Sequence, residues 1–81
     1  MTTGTAHAAI VQALRRVAPD ADLAMVERGA SLQSELDLDS MDFLNFVTAL
    51  EELTGFTIPE RDYPQLASLD GCFDYLEKGT R

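Results

Sequence analysis

The sequence predicts an all-α fold: a four-helix bundle with a short third helix and a long first connection. Three observations predict it. Three stretches carry apolar residues at helical spacing, Pro and Gly punctuate their ends, and an Asp-Ser pair suited to a helix start opens the middle one. Apolar residues make up 46% of the 81, enough for a core but a thin one at this length. A single domain over residues 1–81 is expected, without repeats, low-complexity tracts or an inter-domain linker.

The first helix is expected to start near Thr5 and end before Pro19. Ile10, Leu14 and Val17 recur on one face, with Ala6 and Ala13 extending it. Arg15 and Arg16 fall in the last turn, where they complement the helix dipole. Pro19 stops the helix because the residue before a proline is pushed out of helical geometry. Residues 19–38 then form an unusually long connection, which implies a functional loop or local structure of its own. Leu23, Met25, Val26, Leu32 and Leu36 are spaced through it, and several should pin it to the core; Ser31 suits the cap of a short turn.

The second helix is expected from Ser40 to Thr54, with Met41, Leu44, Val47 and Leu50 as its apolar stripe and Gly55 as its stop. Phe56-Thr57-Ile58-Pro59 reads as extended. Residues 60–65 are expected to hold one helical turn at most, because Pro64 interrupts them. The last helix starts at about Ser68, a suitable N-cap, and runs to about Glu77. Leu69, Phe73 and Leu76 face inward, and Gly79 ends it.

The formal net charge is −8, from 14 acids against 6 Lys plus Arg. That balance disfavours nucleic acid, whose phosphates call for basic partners, and anionic membrane surfaces. It favours basic patches on partner proteins. The single cysteine, Cys72, excludes an internal disulfide and fits a reducing compartment. No signal-peptide pattern and no membrane-length apolar run is visible, so a soluble, cytoplasmic monomer is the simplest expectation.

The stretch Leu36-Asp37-Leu38-Asp39-Ser40-Met41-Asp42-Phe43-Leu44 carries the most information. If Asp39 caps the second helix, Asp42 falls at its third position and completes a capping box. Leu38 and Phe43 then take the positions of a hydrophobic staple. If Ser40 caps instead, Phe43 takes the third position and the box is lost, so Asp39 is preferred. Ser40 is then the first helical residue, with a hydroxyl not needed for capping. It projects beside free backbone N–H groups and the positive end of the dipole, where a phosphate ester is tolerated. On these local grounds alone, an ordinary helix-start serine remains the simpler alternative.

Asp39-Ser40-Met41 resembles the Asp-Ser-Leu signature of acyl carrier proteins. Ala30-Ser31-Leu32 with Glu35-Leu36 resembles the loop before that signature. Val47-Thr48-Ala49-Leu50-Glu51-Glu52 is similar to the second half of the family's second helix. Phe56-Thr57-Ile58-Pro59-Glu60 is similar to the segment after it, and Phe73-Asp74-Tyr75-Leu76 to the inward face of the last helix. The resemblance implies a carrier-protein bundle, and it implies that the chain is not an enzyme. A phosphopantetheinyl transferase would place 4'-phosphopantetheine on Ser40, with Asp39 beside that enzyme's metal-bound substrate. The arm would carry acyl intermediates as thioesters in fatty-acid, polyketide or related biosynthesis. Partners would be an acyl- or aminoacyl-loading enzyme and a downstream synthase or transferase. An aminoacyl or peptidyl carrier serving an adenylating enzyme, and an unmodified acidic helical adaptor, remain as alternatives.

The resemblance also implies docking through Asp39, Met41, Asp42, Phe43, Glu51 and Glu52. Residues 29–60 hold seven acids and no Lys or Arg, although a solvated acidic face is the bland alternative. Leu50, Ile58, Cys72 and Phe73 are candidates to line a shelter for the carried chain; plain packing is the competing reading of each. Departures from the family pattern are Asp37 where Gly is usual, Asn45 where an acid is usual, bulky Phe43 and Phe46, and Pro64. They put the partner set in doubt, not the attachment.

Other signals lead nowhere. Asp37, Asp39 and Asp42 do not match a calcium loop, since position five from Asp37 is Met41, position six Asp42 and position twelve Thr48. His7 reads as a surface residue and Cys72 as a small buried apolar side chain. Asp62 and Tyr63 carry no recognisable motif.

Overall fold

The computed structural model describes residues 3–78. Helix α1 spans Thr3–Val17, α2 Leu32–Glu35, α3 Ser40–Thr54 and α4 Leu69–Lys78. Two 3-10 segments, Leu23–Met25 and Glu60–Leu66, complete the fold, and no strand occurs among the described residues. The bundle packs α1 on α3 and α4, and α4 on the Glu60–Leu66 segment. Ile10, Leu32, Phe46, Val47, Leu50, Leu66 and Leu76 are wholly buried and form its centre.

Helix α1 buries Ala6, Ile10, Ala13 and Leu14 as its spacing predicts, with Ala9 added. It starts two residues earlier than expected. The long connection has structure of its own. Ser31 caps α2, its hydroxyl accepting from the Ser34 N–H at 3.4 Å. Val26 and Leu32 are buried and Leu23 and Leu36 pack against the core, but Met25 is 78% exposed and pins nothing. Two backbone bonds tie the connection to the far end of the chain: Leu32 N–H to Ala67 C=O at 2.7 Å, and Asp70 N–H to Arg28 C=O at 2.9 Å.

The expected stripe of α3 is corrected. Phe46, Val47, Ala49 and Leu50 are buried, whereas Met41 is 64% and Leu44 40% exposed. Steps of three drift around a helix by about 60° each, so Met41 and Leu50, nine residues apart, lie on opposite sides. The true inward row is Phe43, Phe46, Val47, Leu50, with spacings of three and four. Gly55 closes the helix in the left-handed region, φ 77°, as its place predicts.

The single turn expected for residues 60–65 is also corrected: Glu60–Leu66 is a seven-residue 3-10 helix with Pro64 inside it. A 3-10 helix bonds three residues back, so Pro64 forfeits only its own donor. The Asp62 N–H still reaches Pro59 C=O at 2.9 Å, and the Ala67 N–H reaches Pro64 C=O at 3.3 Å. Side chains hold it in place, since the Tyr75 hydroxyl donates to Asp62 Oδ2 at 2.6 Å and Leu66 is buried. The Ser68 hydroxyl accepts from the Gly71 N–H at 3.1 Å, as an N-cap of α4 should. Gly71 leaves no room for a side chain, because an added Cβ would collide with the Gln65 carbonyl oxygen. Gly79 lies outside the described residues.

Candidate functional site at the start of α3

The approach to α3 is set by the backbone. Asp37 adopts φ 56°, the left-handed region that L side chains other than Asn and Asp rarely enter. It stands where the resembling family usually has Gly, and Asp is one of the few L residues that enter this region. The Leu38 N–H then donates to Gln33 C=O at 2.9 Å, and the Leu38 side chain is buried.

Asp39 is extended and caps α3. Its Oδ1 accepts from the Asp42 N–H at 2.8 Å, and Asp42 Oδ2 accepts from the Asp39 N–H at 3.5 Å. The capping box is therefore complete, and the cap is Asp39 and not Ser40. Ser40 is the first helical residue and exposed, and no hydrogen bond among the described residues engages its hydroxyl. A free primary hydroxyl at the positive end of a 15-residue helix is an acceptable ester oxygen for a phosphate group. The residues present thus fit a phosphopantetheine at this position.

Around Ser40, Asp39 and Met41 are exposed, while Asp42 and Phe43 are half-buried. Phe43 meets Phe46 at 6.2 Å between ring centroids and Tyr63 at 6.4 Å, the latter edge-to-face. Leu44, read from its spacing as inward, joins Met41 as exposed apolar surface. Rotation at 100° per residue is the signal that would have shown it.

Glu51 and Glu52, expected at the docking face, both have internal partners. Glu51 Oε2 accepts from the Ile58 N–H at 2.8 Å and so ties the extended segment after Gly55 to α3. Glu52 pairs with Arg16 of α1 at 2.8 Å. That pair is solvent-exposed and contributes less than about 1 kcal/mol.

Leu50, Ile58 and Cys72 are buried in the core. Phe73 is also buried, but its ring floors an open groove of about 380 Å³ with Leu23, Val26 and Leu69. Arg28 lies over that ring at 4.8 Å and His7 stacks on it at 6.0 Å, so His7 is exposed yet engaged. Burial pushes the Cys72 thiol up to about 12, and its S–H donates to Leu66 C=O at 3.4 Å. Among the described residues no group of three or more His, Cys, Asp or Glu could hold a metal ion, and no helix is long and apolar enough to cross a membrane.

The start of α3 is thus a complete capping box beside an exposed serine, on a small helical bundle. The family described as the phosphopantetheine attachment site matches residues 8–76, and the chain belongs to that family. It is similar to acyl carrier proteins. Against acyl carrier protein 2, mitochondrial, of Arabidopsis thaliana it is 38% identical over 55 residues, 68% of this chain and 44% of the relative. Against the acyl carrier protein of Syntrophobacter fumaroxidans it is 33% identical over 57 residues, 70% of each chain. Against that of Rubrobacter xylanophilus it is 27% identical over 70 residues, 83% of this chain and 86% of the relative. The match thus spans less than half of the mitochondrial relative's length.

Proposed function

We propose that residues 1–81 form one carrier domain that bears 4'-phosphopantetheine on Ser40. The arm then holds acyl intermediates as thioesters between the enzymes of fatty-acid, polyketide or related biosynthesis. The observation that carries this proposal is the capping box. Asp39 and Asp42 satisfy the helix start between them, which leaves the Ser40 hydroxyl exposed and unbonded. A phosphopantetheinyl transferase supplies the arm from coenzyme A. Ser40 Oγ bonds to the phosphorus that bears pantetheine, the phosphoanhydride bond breaks, and adenosine bisphosphate leaves. The hydroxyl proton passes to a base of the transferase.

The carrier itself contributes position and effective concentration. Asp39, Met41, Asp42 and Phe43 form the contact surface beside the arm, and Leu44 extends its apolar part. Glu51 and Glu52 sit lower on α3 and contribute once their internal partners yield.

The test is intact mass after incubation with coenzyme A, magnesium and a broad-specificity phosphopantetheinyl transferase, with Ser40→Ala alongside. The expected result is a gain of one phosphopantetheine that the variant lacks. Folded protein that gains nothing from two unrelated transferases is an acidic adaptor instead. Charging of the arm by an adenylating enzyme with an amino acid, and not with an acyl group, would make it an aminoacyl carrier.

A further inference from the structure

Ser40 and Phe43 lie three residues apart on α3, so their side chains share one face of the helix. The Phe43 ring meets Tyr63 of the Glu60–Leu66 helix edge-on, with planes at 77°. It also meets Phe46, which has no exposed surface. Phe43 thus bridges Phe46 of its own helix and Tyr63 of the 3-10 helix, on the side of α3 that carries Ser40. Phe43 and Tyr63 are each half-buried, so part of both rings faces water.

We infer that the Phe43–Tyr63 pair bars the way between α3 and the 3-10 helix, so that a group carried on Ser40 rests on the outer surface of the two rings and does not enter there. The inference rests on the attachment reading of Ser40. An apolar chain on a tether is driven onto nearby apolar surface, and these rings are close to the tether point. Entry requires the two rings to part, which breaks an edge-to-face contact. It also requires Phe46 to move within a close-packed interior. Resting outside requires only that water leave the exposed parts of the rings. The thioester of such a carrier stays within reach of water and of partner enzymes whatever the length of the chain.

The test compares the holo-protein with its acetyl and octanoyl thioesters, with loading first verified by intact mass. Methyl spectra report on Leu50, Ile58 and Leu66, ring spectra on Phe43 and Tyr63, and hydroxylamine cleavage on thioester access. In the native protein the octanoyl group should shift the ring signals and leave the core methyls in place. Both thioesters should be cleaved at one rate. In Phe43→Ala/Tyr63→Ala the octanoyl group should enter, shift the core methyls and be cleaved more slowly than the acetyl group. Shifted core methyls and slower octanoyl than acetyl cleavage in the native protein would overturn the inference, whether or not the double variant folds. A protein that takes up no phosphopantetheine fails earlier, at the mass measurement, and removes the attachment reading and this inference together.

Discussion

Asp39 does two things that different substitutions separate. Its carboxylate caps α3 through the Asp42 N–H, and its charge stands next to the Ser40 hydroxyl. Asp39→Ala removes both and should cost about 1 kcal/mol of stability in urea titration, the usual worth of an N-cap. Asp39→Asn keeps the cap and removes the charge. It should unfold at nearly the native midpoint while its rate of phosphopantetheine uptake falls, and an unchanged rate would limit Asp39 to capping. The cap was legible in the sequence because its chemistry is local: two acids three residues apart, with Leu38 and Phe43 flanking them. The tasks of Glu51 and Asp62 were not. One binds the Ile58 N–H and the other the Tyr75 hydroxyl, across 7 and 13 residues. No short-range pattern announces such pairs.

Among the elements, the meeting of the 3-10 helix with α4 carries the tightest constraint. Gly71 faces the Gln65 carbonyl so closely that Gly71→Ala must push the two elements apart. It should cost about 1–3 kcal/mol, the range for overpacking. Gly4→Ala is the control, since nothing lies within 4 Å of the added methyl group and an alanine suits a helix better. Chemical denaturation of the two variants should move in opposite directions; equal midpoints would mean that α4 shifts at no cost. The same junction explains why the reading of residues 60–65 fell short. Proline was weighed as a helix breaker, but a 3-10 helix held by Tyr75 and Leu66 from outside loses only one donor to it. The α3 stripe went astray for a different reason: a step of three approximates the helical repeat over one turn and fails over three.

Over the whole molecule the charges are unevenly placed. The seven acids of residues 29–60 have no basic residue among them. Glu52 is drawn to Arg16, and Glu51 and Glu35 to backbone N–H groups; Asp37, Asp39 and Asp42 are the acids next to Ser40 in sequence. Docking on basic partners should therefore weaken steeply with salt, as the screening length falls from about 10 Å at 0.1 M to about 3 Å at 1 M. The KM of the transferase for this carrier measures it, and a flat salt profile would shift the weight onto Met41, Phe43 and Leu44. At this scale the all-helical bundle, the long connection and the capped start of α3 were legible, because periodicity and capping are written in neighbouring residues. The Phe43–Tyr63 contact between α3 and the 3-10 helix was not, because it joins residues 20 positions apart. Cys72, sunk among the core side chains with its thiol held protonated to about pH 12, has one more effect. Burial keeps this sulfur from a thiol reagent at neutral pH, so in a protein that bears the arm with its thiol free a maleimide dye should go to the tip of the arm. The native sequence then serves as its own spectroscopic probe, reporting how the arm tumbles and where it settles without an engineered label site.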